Sequence, residues 1–253
     1  RIAPDPNTGN KGYVDGAGSD DIIIAAAKNE SMGTLPEGAP IYGGAGNDTL
    51  VGMDRNDWLD GGSDDDYLFG GDGYDTLLGG GGNDLLDGGD GNDFIETKGG
   101  TAQMRGGAGD DDIRGDWGSD TIDGGDGHDL IQTGHGDDNV NGGNGNDGID
   151  ASWTAGNKTL SGGNGIDLIR GGVSEDQIFG GNDTDVLWGN GGDDFMSGGW
   201  GNDSLFGGDG NDTLMGDGGS DTLYGDSGDD TFIFGRDGVG YVGTCAVFEG
   251  NRG

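Results

Sequence analysis

The chain has 253 residues, 66 of them glycine, and a formal net charge of −38 at pH 7, while only 29% of its residues are hydrophobic. This charge argues against nucleic acid as a partner, because phosphate binding needs Lys and Arg, and the lone Cys245 excludes an internal disulfide framework. No apolar run is long enough to span a membrane. Composition alone is typical of a disordered acidic chain, so a repeat must be sought before any fold is assigned.

The N-terminal segment, residues 1–42, carries one acidic unit of nine residues. This unit, "DGAGSDDII", starts at Asp15 and has Asp20 as its sixth residue. Residues 24–42 lack the aspartates of the repeat, although Met32 and Ile41 can fill inward positions. We therefore expect this segment to form an N-terminal cap with degenerate coils.

The main repeat divides residues 43–150 into twelve units of nine, with the pattern G-G-x-G-x-D-x-U-x, where U is apolar. The next eleven residues, "ASWTAGNKTLS" (151–161), are interpreted as one unit with a two-residue bulge and with Leu160 in the inward position. Eight further units fill residues 162–233. In these twenty regular units the eighth residue is always apolar, and the sixth is Asp everywhere except at Ala102.

The last segment, residues 234–253, leaves the pattern. A solenoid needs its terminal coil covered, because an open sheet edge invites pairing with other chains. We expect this segment to form a C-terminal cap, in which Phe234, Tyr241, Val247 and Phe248 cover the last coil.

Each unit combines a turn with a short strand. Its six residues rich in Gly, Asn and Asp favour a turn, and its last three favour a strand whose middle side chain points inward. Two units return the chain to its starting side, so one coil takes 18 residues, and coils stack at about 4.8 Å. The sequence therefore predicts an all-β fold, a parallel β-roll (a right-handed β-solenoid) with two facing apolar ladders.

Stacking also brings the sixth-position carboxylates of successive coils close together. Two carboxylates about 5 Å apart repel by roughly 3 kcal/mol at an effective dielectric of about 20. A divalent cation between successive turns reverses the sign of this energy. Calcium suits such a site better than magnesium, because it accepts carboxylate and carbonyl oxygens in a flexible geometry, whereas magnesium holds its waters in a strict octahedron.

The units "GGAGNDTLV", "GGDGYDTLL", "GGDGNDFIE" and "GGDGNDTLM" resemble the calcium-binding nonapeptides of RTX (repeats-in-toxin) proteins. The resemblance implies a calcium-loaded parallel β-roll that is disordered without calcium, and export by a type I secretion system. It also implies that each ion is held by the Asp of one turn, the Asp of the next turn on the same side, and turn carbonyls. The predicted ligands are Asp20, Asp48, Asp57, Asp66, Asp75, Asp84, Asp93, Asp111, Asp120, Asp129, Asp138, Asp147, Asp167, Asp176, Asp185, Asp194, Asp203, Asp212, Asp221 and Asp230.

These acids form two columns, one on each side of the roll, with about fifteen calcium sites between them. The column from Asp57 to Asp221 is unbroken, whereas the other is interrupted at Ala102 and at the bulged unit. Each interruption carries a lysine, Lys98 or Lys158. Our hypothesis is that each ammonium group compensates charge where calcium is missing. The alternative is a drifted turn that acquired a surface lysine.

No motif indicates catalysis. The sequence lacks H-E-x-x-H, His128 and His135 fall in turns, and no His–Asp pair supports Ser227. Calcium accounts for the paired carboxylates, so we predict that the chain is not an enzyme. A surface for other domains or subunits is predicted instead on outward strand positions of the C-terminal third, with packing beneath the cap as the alternative. Its aromatic residues are Phe179, Trp188, Phe195, Phe206 and Tyr224.

Two functions fit these features. The first is a secreted, extracellular module of an adhesin or a surface layer, rigidified by calcium and used for extension or assembly. The second is the secretion and folding module of an exported protease, lipase or epimerase. Ice binding is disfavoured, because the third positions of the first units, which begin Ala45, Asp54 and Ser63, form no regular Thr/Asn ladder.

Overall fold

The computed structural model describes residues 2–4, 12–24, 39–233 and 246–248, with side chains for residues 16–24 and 39–233. Several residues of the predicted caps lie outside this part of the chain. These are residues 25–38 with Met32, residues Phe234 and Tyr241, and the side chains of Val247 and Phe248.

The chain divides into two compact units, residues 1–125 and 126–253. Every regular element among the described residues is a β-strand, and none of those residues forms a helix. This division does not follow the predicted segment boundaries, which stay predictions.

In the first unit, β1, β2, β4, β6, β8, β10 and β12 form one sheet in that order, and β3, β5, β7, β9 and β11 form the other. Pairing is parallel throughout, except that β1 runs antiparallel to β2. The strands are β1 Ile2–Pro4, β2 Gly12–Gly18, β3 Ile22–Ile24, β4 Ile41–Ala45, β5 Thr49–Met53, β6 Trp58–Ser63, β7 Tyr67–Asp72, β8 Thr76–Gly81, β9 Leu85–Asp90, β10 Phe94–Glu96, β11 Gln103–Ala108, β12 Asp112–Arg114 and β13 Thr121–Asp126, which ends at the boundary.

In the second unit, β14, β16, β18, β20, β22, β24 and β26 form one parallel sheet in that order, and β15, β17, β19, β21, β23 and β25 form the other. The strands are β14 Leu130–Gln132, β15 Asn139–Asn144, β16 Gly148–Asp150, β17 Thr159–Asn164, β18 Leu168–Arg170, β19 Gln177–Asn182, β20 Val186–Gly191, β21 Phe195–Trp200, β22 Ser204–Asp209, β23 Thr213–Met215, β24 Thr222–Ser227, β25 Thr231–Ile233 and β26 Ala246–Phe248.

The register confirms the predicted coil of 18 residues. Leu59 lies opposite Leu77 in the first unit, and Leu187 lies opposite Leu205 in the second. Residues at equal positions of alternate units therefore stack directly on one another, which defines a parallel β-solenoid in each unit. At the bulge the spacing grows to 20 residues. There the Asp147 N–H donates to Asp167 Oδ1, the next acid of its column.

The eighth-position side chains form the core, as predicted. Those of the regular units up to Leu223 are at most 2% exposed, and Leu160 of the bulged unit is fully buried. Many strands are longer than the predicted three residues, because the two glycines that open the next turn continue the ladder. The second of these glycines, such as Gly62 at φ +110°, has a backbone conformation that side-chain-bearing residues disfavour.

The acidic unit near the N-terminus lies one residue later in the repeat than predicted. The Asp21 N–H donates to Asp48 Oδ1 at 2.7 Å, the bond that links sixth positions elsewhere. Asp21 therefore takes the sixth position and Asp20 the fifth. Side chains alternate between the two faces of a strand, and Ile22 is 78% exposed, so Ile23 is the inward residue. The inward residue is the eighth of its unit, which makes Asp21 the sixth. The strands of this unit pair directly with β4 and β5.

Candidate metal sites

The sixth-position aspartates form buried columns along the turns. Of the twenty predicted ligands, seventeen are buried, Asp57 and Asp230 are half-buried, and Asp20 is exposed. One carboxylate oxygen of each pair is fixed by the backbone: Asp66 Oδ1 accepts the Asp48 N–H at 2.8 Å. This bond recurs along both columns, so the coil spacing itself positions the carboxylates.

The other oxygen, Oδ2, is buried without a hydrogen-bond donor at many of these positions. Leaving a charged oxygen dry and unpaired is costly, because burial removes its water and nothing replaces it. This arrangement is stable only if a cation or a proton neutralises the oxygen. Among the described residues, it holds for Asp48, Asp57, Asp66, Asp75, Asp84, Asp93, Asp147, Asp167, Asp185, Asp194, Asp203 and Asp212.

The first glycine of each turn lets the backbone approach this oxygen closely, because it has no side chain that would fill the volume between them. A Cβ atom built on Gly142 would lie 2.5 Å from Asp147 Oδ2 and 2.7 Å from the Gly162 carbonyl oxygen of the next coil. A carboxylate and a carbonyl from successive coils therefore face the same small volume. Within the described residues no three His, Cys, Asp or Glu side chains converge on one point. A metal ion would thus need backbone carbonyls as well as carboxylates, which is the donor set that calcium accepts.

Burial raises the pKa of the column carboxylates well above the usual range for Asp. Burial is the largest cause in each case, and neighbouring carboxylates add to it. The pKa rises to about 6 for Asp75, to about 7 for Asp185, and to about 8 for Asp194, which lies near Asp176 and Asp212. Without a metal ion, a proton is therefore the alternative source of neutralisation.

The first interruption, at Ala102, places no ammonium group inside the turn. Lys98 is exposed, and its charge acts on Asp60, whose pKa is raised by burial and lowered in part by this lysine. Ala102 is fully buried, and its N–H still donates to Asp120 Oδ1 at 2.8 Å. The structure therefore does not support charge replacement by Lys98.

The second interruption places Lys158 in the acidic column itself. Its side chain is only 1% exposed, and its N–H donates to Asp176 Oδ1 at 2.7 Å, as a column aspartate does. Its Nζ lies 3.2 Å from Asp138 Oδ2. The sequence contains a signal for this placement, since "KTL" matches the "D-x-U" of a regular unit, but it does not show that the ammonium group points into the turn.

The remaining candidate residues have structural contacts. His128 and His135 use Nδ1 to accept backbone N–H groups of the next coil, from Asn146 at 2.8 Å and Ala155 at 3.1 Å. Ser227 ends β24. These contacts continue the turn ladder and give no sign of a catalytic arrangement.

The predicted aromatic surface is divided between the two sheets of the second unit. In one sheet Trp188 stacks on Phe206 with centroids 5.7 Å apart, and Phe206 stacks on Tyr224 at 4.8 Å. In the other sheet Phe179 lies 5.9 Å from Phe195. Two separate patches therefore replace the single surface that the sequence suggested.

Comparison with known proteins decides the family. The model of the RTX calcium-binding nonapeptide repeat (4 copies) matches residues 42–77, 75–104, 96–131, 114–149, 154–187, 161–196, 174–205 and 206–238. The chain belongs to this RTX family. No curated protein matches the RTX chain. No helix among its described residues has the length and apolarity needed to cross a membrane.

A solved structure also resembles the RTX chain. It is the X-ray crystal structure of a hyperactive, Ca2+-dependent, β-helical antifreeze protein from an Antarctic bacterium. The match has 20% sequence identity and a TM-score of 0.44, and it covers 92% of this chain and 81% of the other.

Proposed function

We propose that this RTX chain is a secreted calcium-binding module that folds when calcium fills the acidic columns. The observation that carries the proposal is the set of buried Oδ2 atoms without donors in the described residues. Their neutralisation is a condition for folding, because the apolar core is only one side chain deep in each sheet. Calcium, when bound, supplies positive charge between successive turns, and buried column aspartates such as Asp66, Asp75 and Asp185, together with turn carbonyls, are the residues that would hold it.

The register supports Asp21 as a further ligand, and as a better one than Asp20. A Cβ atom on Gly16 would lie 2.7 Å from Asp21 Oδ2, which matches the arrangement at regular sixth positions. Asp20 is exposed and lies at the fifth position.

Far-UV circular dichroism during a calcium titration tests this function, with magnesium as the control. We expect a cooperative change from coil to β structure with calcium and little change with magnesium at the same concentration. A chain that is already folded in chelator, or one that stays unfolded in millimolar calcium, would show that the acidic columns serve another purpose.

For the biological role we propose extension or assembly at the cell surface, as in an adhesin or a surface layer. RTX repeats are typical of exported proteins, and the matched repeats extend over residues 42–238. Two aromatic patches, one of them stacked, provide surfaces for neighbouring domains. The complete reading frame that contains this chain tests the role: further repeats or adhesive domains would support it, whereas a catalytic domain would favour a secretion and folding module.

A further inference from the structure

Lys158 occupies the place of an aspartate in a column that otherwise requires a cation. Thr159 lies opposite Asn139 on one side and Gln177 on the other, so Lys158 stacks between Asp138 and Asp176. It is among the largest fully buried side chains of the described residues. A fully buried lysine is rare unless it is paired, and this one belongs to neither of the two apolar ladders.

The Lys158 ammonium group is surrounded by the kinds of oxygen atom that also bind calcium. It lies 3.2 Å from Asp138 Oδ2. It also donates to the Ala155 carbonyl at 3.0 Å and to the Gly136 carbonyl. Its partners are therefore one carboxylate and two turn carbonyls from consecutive turns on one side of the roll.

The aspartate on the other side of Lys158 is also satisfied without metal. Asp176 Oδ1 accepts the Lys158 N–H at 2.7 Å, and Asp176 Oδ2 accepts the Gly172 N–H at 2.6 Å. One coil further on, Asp194 Oδ2 is buried with no such donor among the described residues. The need for a cation therefore stops at Lys158 and resumes beyond Asp176.

The charges agree with this description. Replacing Asp (−1) by Lys (+1) changes the charge of the turn by +2, which equals the charge of one calcium ion. The backbone around Lys158 keeps the regular turn ladder, since the Ala155 carbonyl accepts the Gly136 N–H at 2.9 Å just as the Asp90 carbonyl accepts the Gly73 N–H in a regular turn.

We propose that Lys158 is a tethered cation that takes the place of calcium between the turn at residues 133–138 and the bulged turn at 151–158. This inference rests on the proposed calcium-binding function. It means that these coils hold together at calcium concentrations at which the regular coils do not. They would then serve as a starting point from which calcium-dependent folding spreads along the second unit.

The test compares Lys158→Asp with Lys98→Asp, which makes the same charge change at an exposed turn position. Calcium bound per chain is measured by native mass spectrometry, and the calcium midpoint of folding by circular dichroism. We expect Lys158→Asp to bind at least one more calcium ion than the parent chain and to need several-fold more calcium to fold. Lys98→Asp should match the parent chain in stoichiometry.

Equal calcium stoichiometry and equal midpoints for the parent chain and Lys158→Asp would overturn the inference. If the parent chain itself bound no calcium, the proposed function would fail, which is a different result. If Lys158→Asp does not fold, the inference is tested on the parent chain instead, by locating calcium through its anomalous scattering in crystals grown with calcium. Ions near Asp194 and Asp212 but none near Lys158 would support the inference, whereas an ion between Asp138 and Lys158 would refute it.

Discussion

The turn at Ala102 lies in the first compact unit and the turn at Lys158 in the second, and each is a turn of the repeat that lacks its aspartate. At Ala102 the carboxylate is replaced by a buried methyl group, and the nearby Lys98 stays exposed. At Lys158 the carboxylate is replaced by a buried ammonium group with three oxygen partners. Removing a negative charge, as at Ala102, lowers the repulsion between turns but does not link them. Supplying a positive charge, as at Lys158, lowers the repulsion and also links the two turns.

Calcium removal should have the largest effect and should separate the two turns. In chelator we expect the regular coils to lose nearly all amide protection, because buried Oδ2 atoms such as those of Asp66, Asp75 and Asp185 then have neither a metal ion nor a hydrogen-bond donor. At limiting calcium, residues 151–161 should keep protection longer than residues 97–105, since only the former contain a tethered cation. Hydrogen exchange with mass spectrometry measures both segments in one sample, and simultaneous loss of protection would contradict the difference between the turns.

Acidification should partly replace calcium. In the folded chain the pKa is about 7 for Asp185 and about 8 for Asp194, against an ordinary value of 3.8. The folded state therefore binds more protons than the unfolded state between these values, so stability falls as pH rises. This contribution is fully present below about pH 4 and is lost as pH rises through 7 to 8.

We therefore expect the chelated chain to gain β structure when pH is lowered from 8 towards 5. With calcium present the trend reverses, because protons compete with the metal for the same oxygens. Circular dichroism at matched ionic strength tests the pH trend of the chelated chain and that of the calcium-loaded chain. Further unfolding of the chelated chain on acidification would show that the column carboxylates are not protonated in the folded state.

The sequence was sufficient for the architecture but not for these two turns. A fixed period of nine with an apolar eighth residue determines the coil, because strand alternation and stacking depend on local spacing. The sequence predicts Asp20 at the sixth position, and only the pairing of the strand that follows shows that Asp21 takes it. With Leu160 inward, Lys158 falls at the sixth position, but the sequence does not show whether its ammonium group points into the turn or into solvent. The aromatic residues were correctly expected to face outward. Because consecutive units alternate between the two sheets, the period already separates Trp188 from Phe195, and the expectation of one shared surface left this consequence out.

Lys158→Met keeps the volume of the side chain and removes its charge. Breaking a buried ion pair on one side typically costs about 3–5 kcal/mol, because the partner carboxylate is left uncompensated. We expect a loss of this size in the free energy of unfolding of the calcium-loaded chain. Denaturant titration measures it, and hydrogen exchange monitors the transition of the second unit. A loss below about 1 kcal/mol would mean that the 3.2 Å contact with Asp138 contributes little to stability.

Asp194→Asn tests a regular site against its neighbour Asp193→Asn. Asn at position 194 can still accept the Asp176 N–H, but it loses the anionic oxygen that faces the turn interior. We expect the calcium midpoint to rise and stability in calcium to fall by roughly 1–3 kcal/mol. Asp193 is exposed, and its bond from the Asn211 N–H survives the change to Asn. Equal effects of the two variants would argue against a metal ion beside Asp194.

Lys98→Met should have the smallest effect and provides the counterpart of Lys158→Met. Because the Lys98 side chain is exposed, its loss should change the free energy of unfolding by no more than about 0.5 kcal/mol. Its backbone bond to the Gly80 carbonyl, at 2.8 Å, does not depend on the side chain. The same denaturant titration measures both variants. If Lys98→Met were as damaging as Lys158→Met, the ammonium group at the Ala102 turn would also act as a counter-charge, and the two interruptions would be equivalent after all.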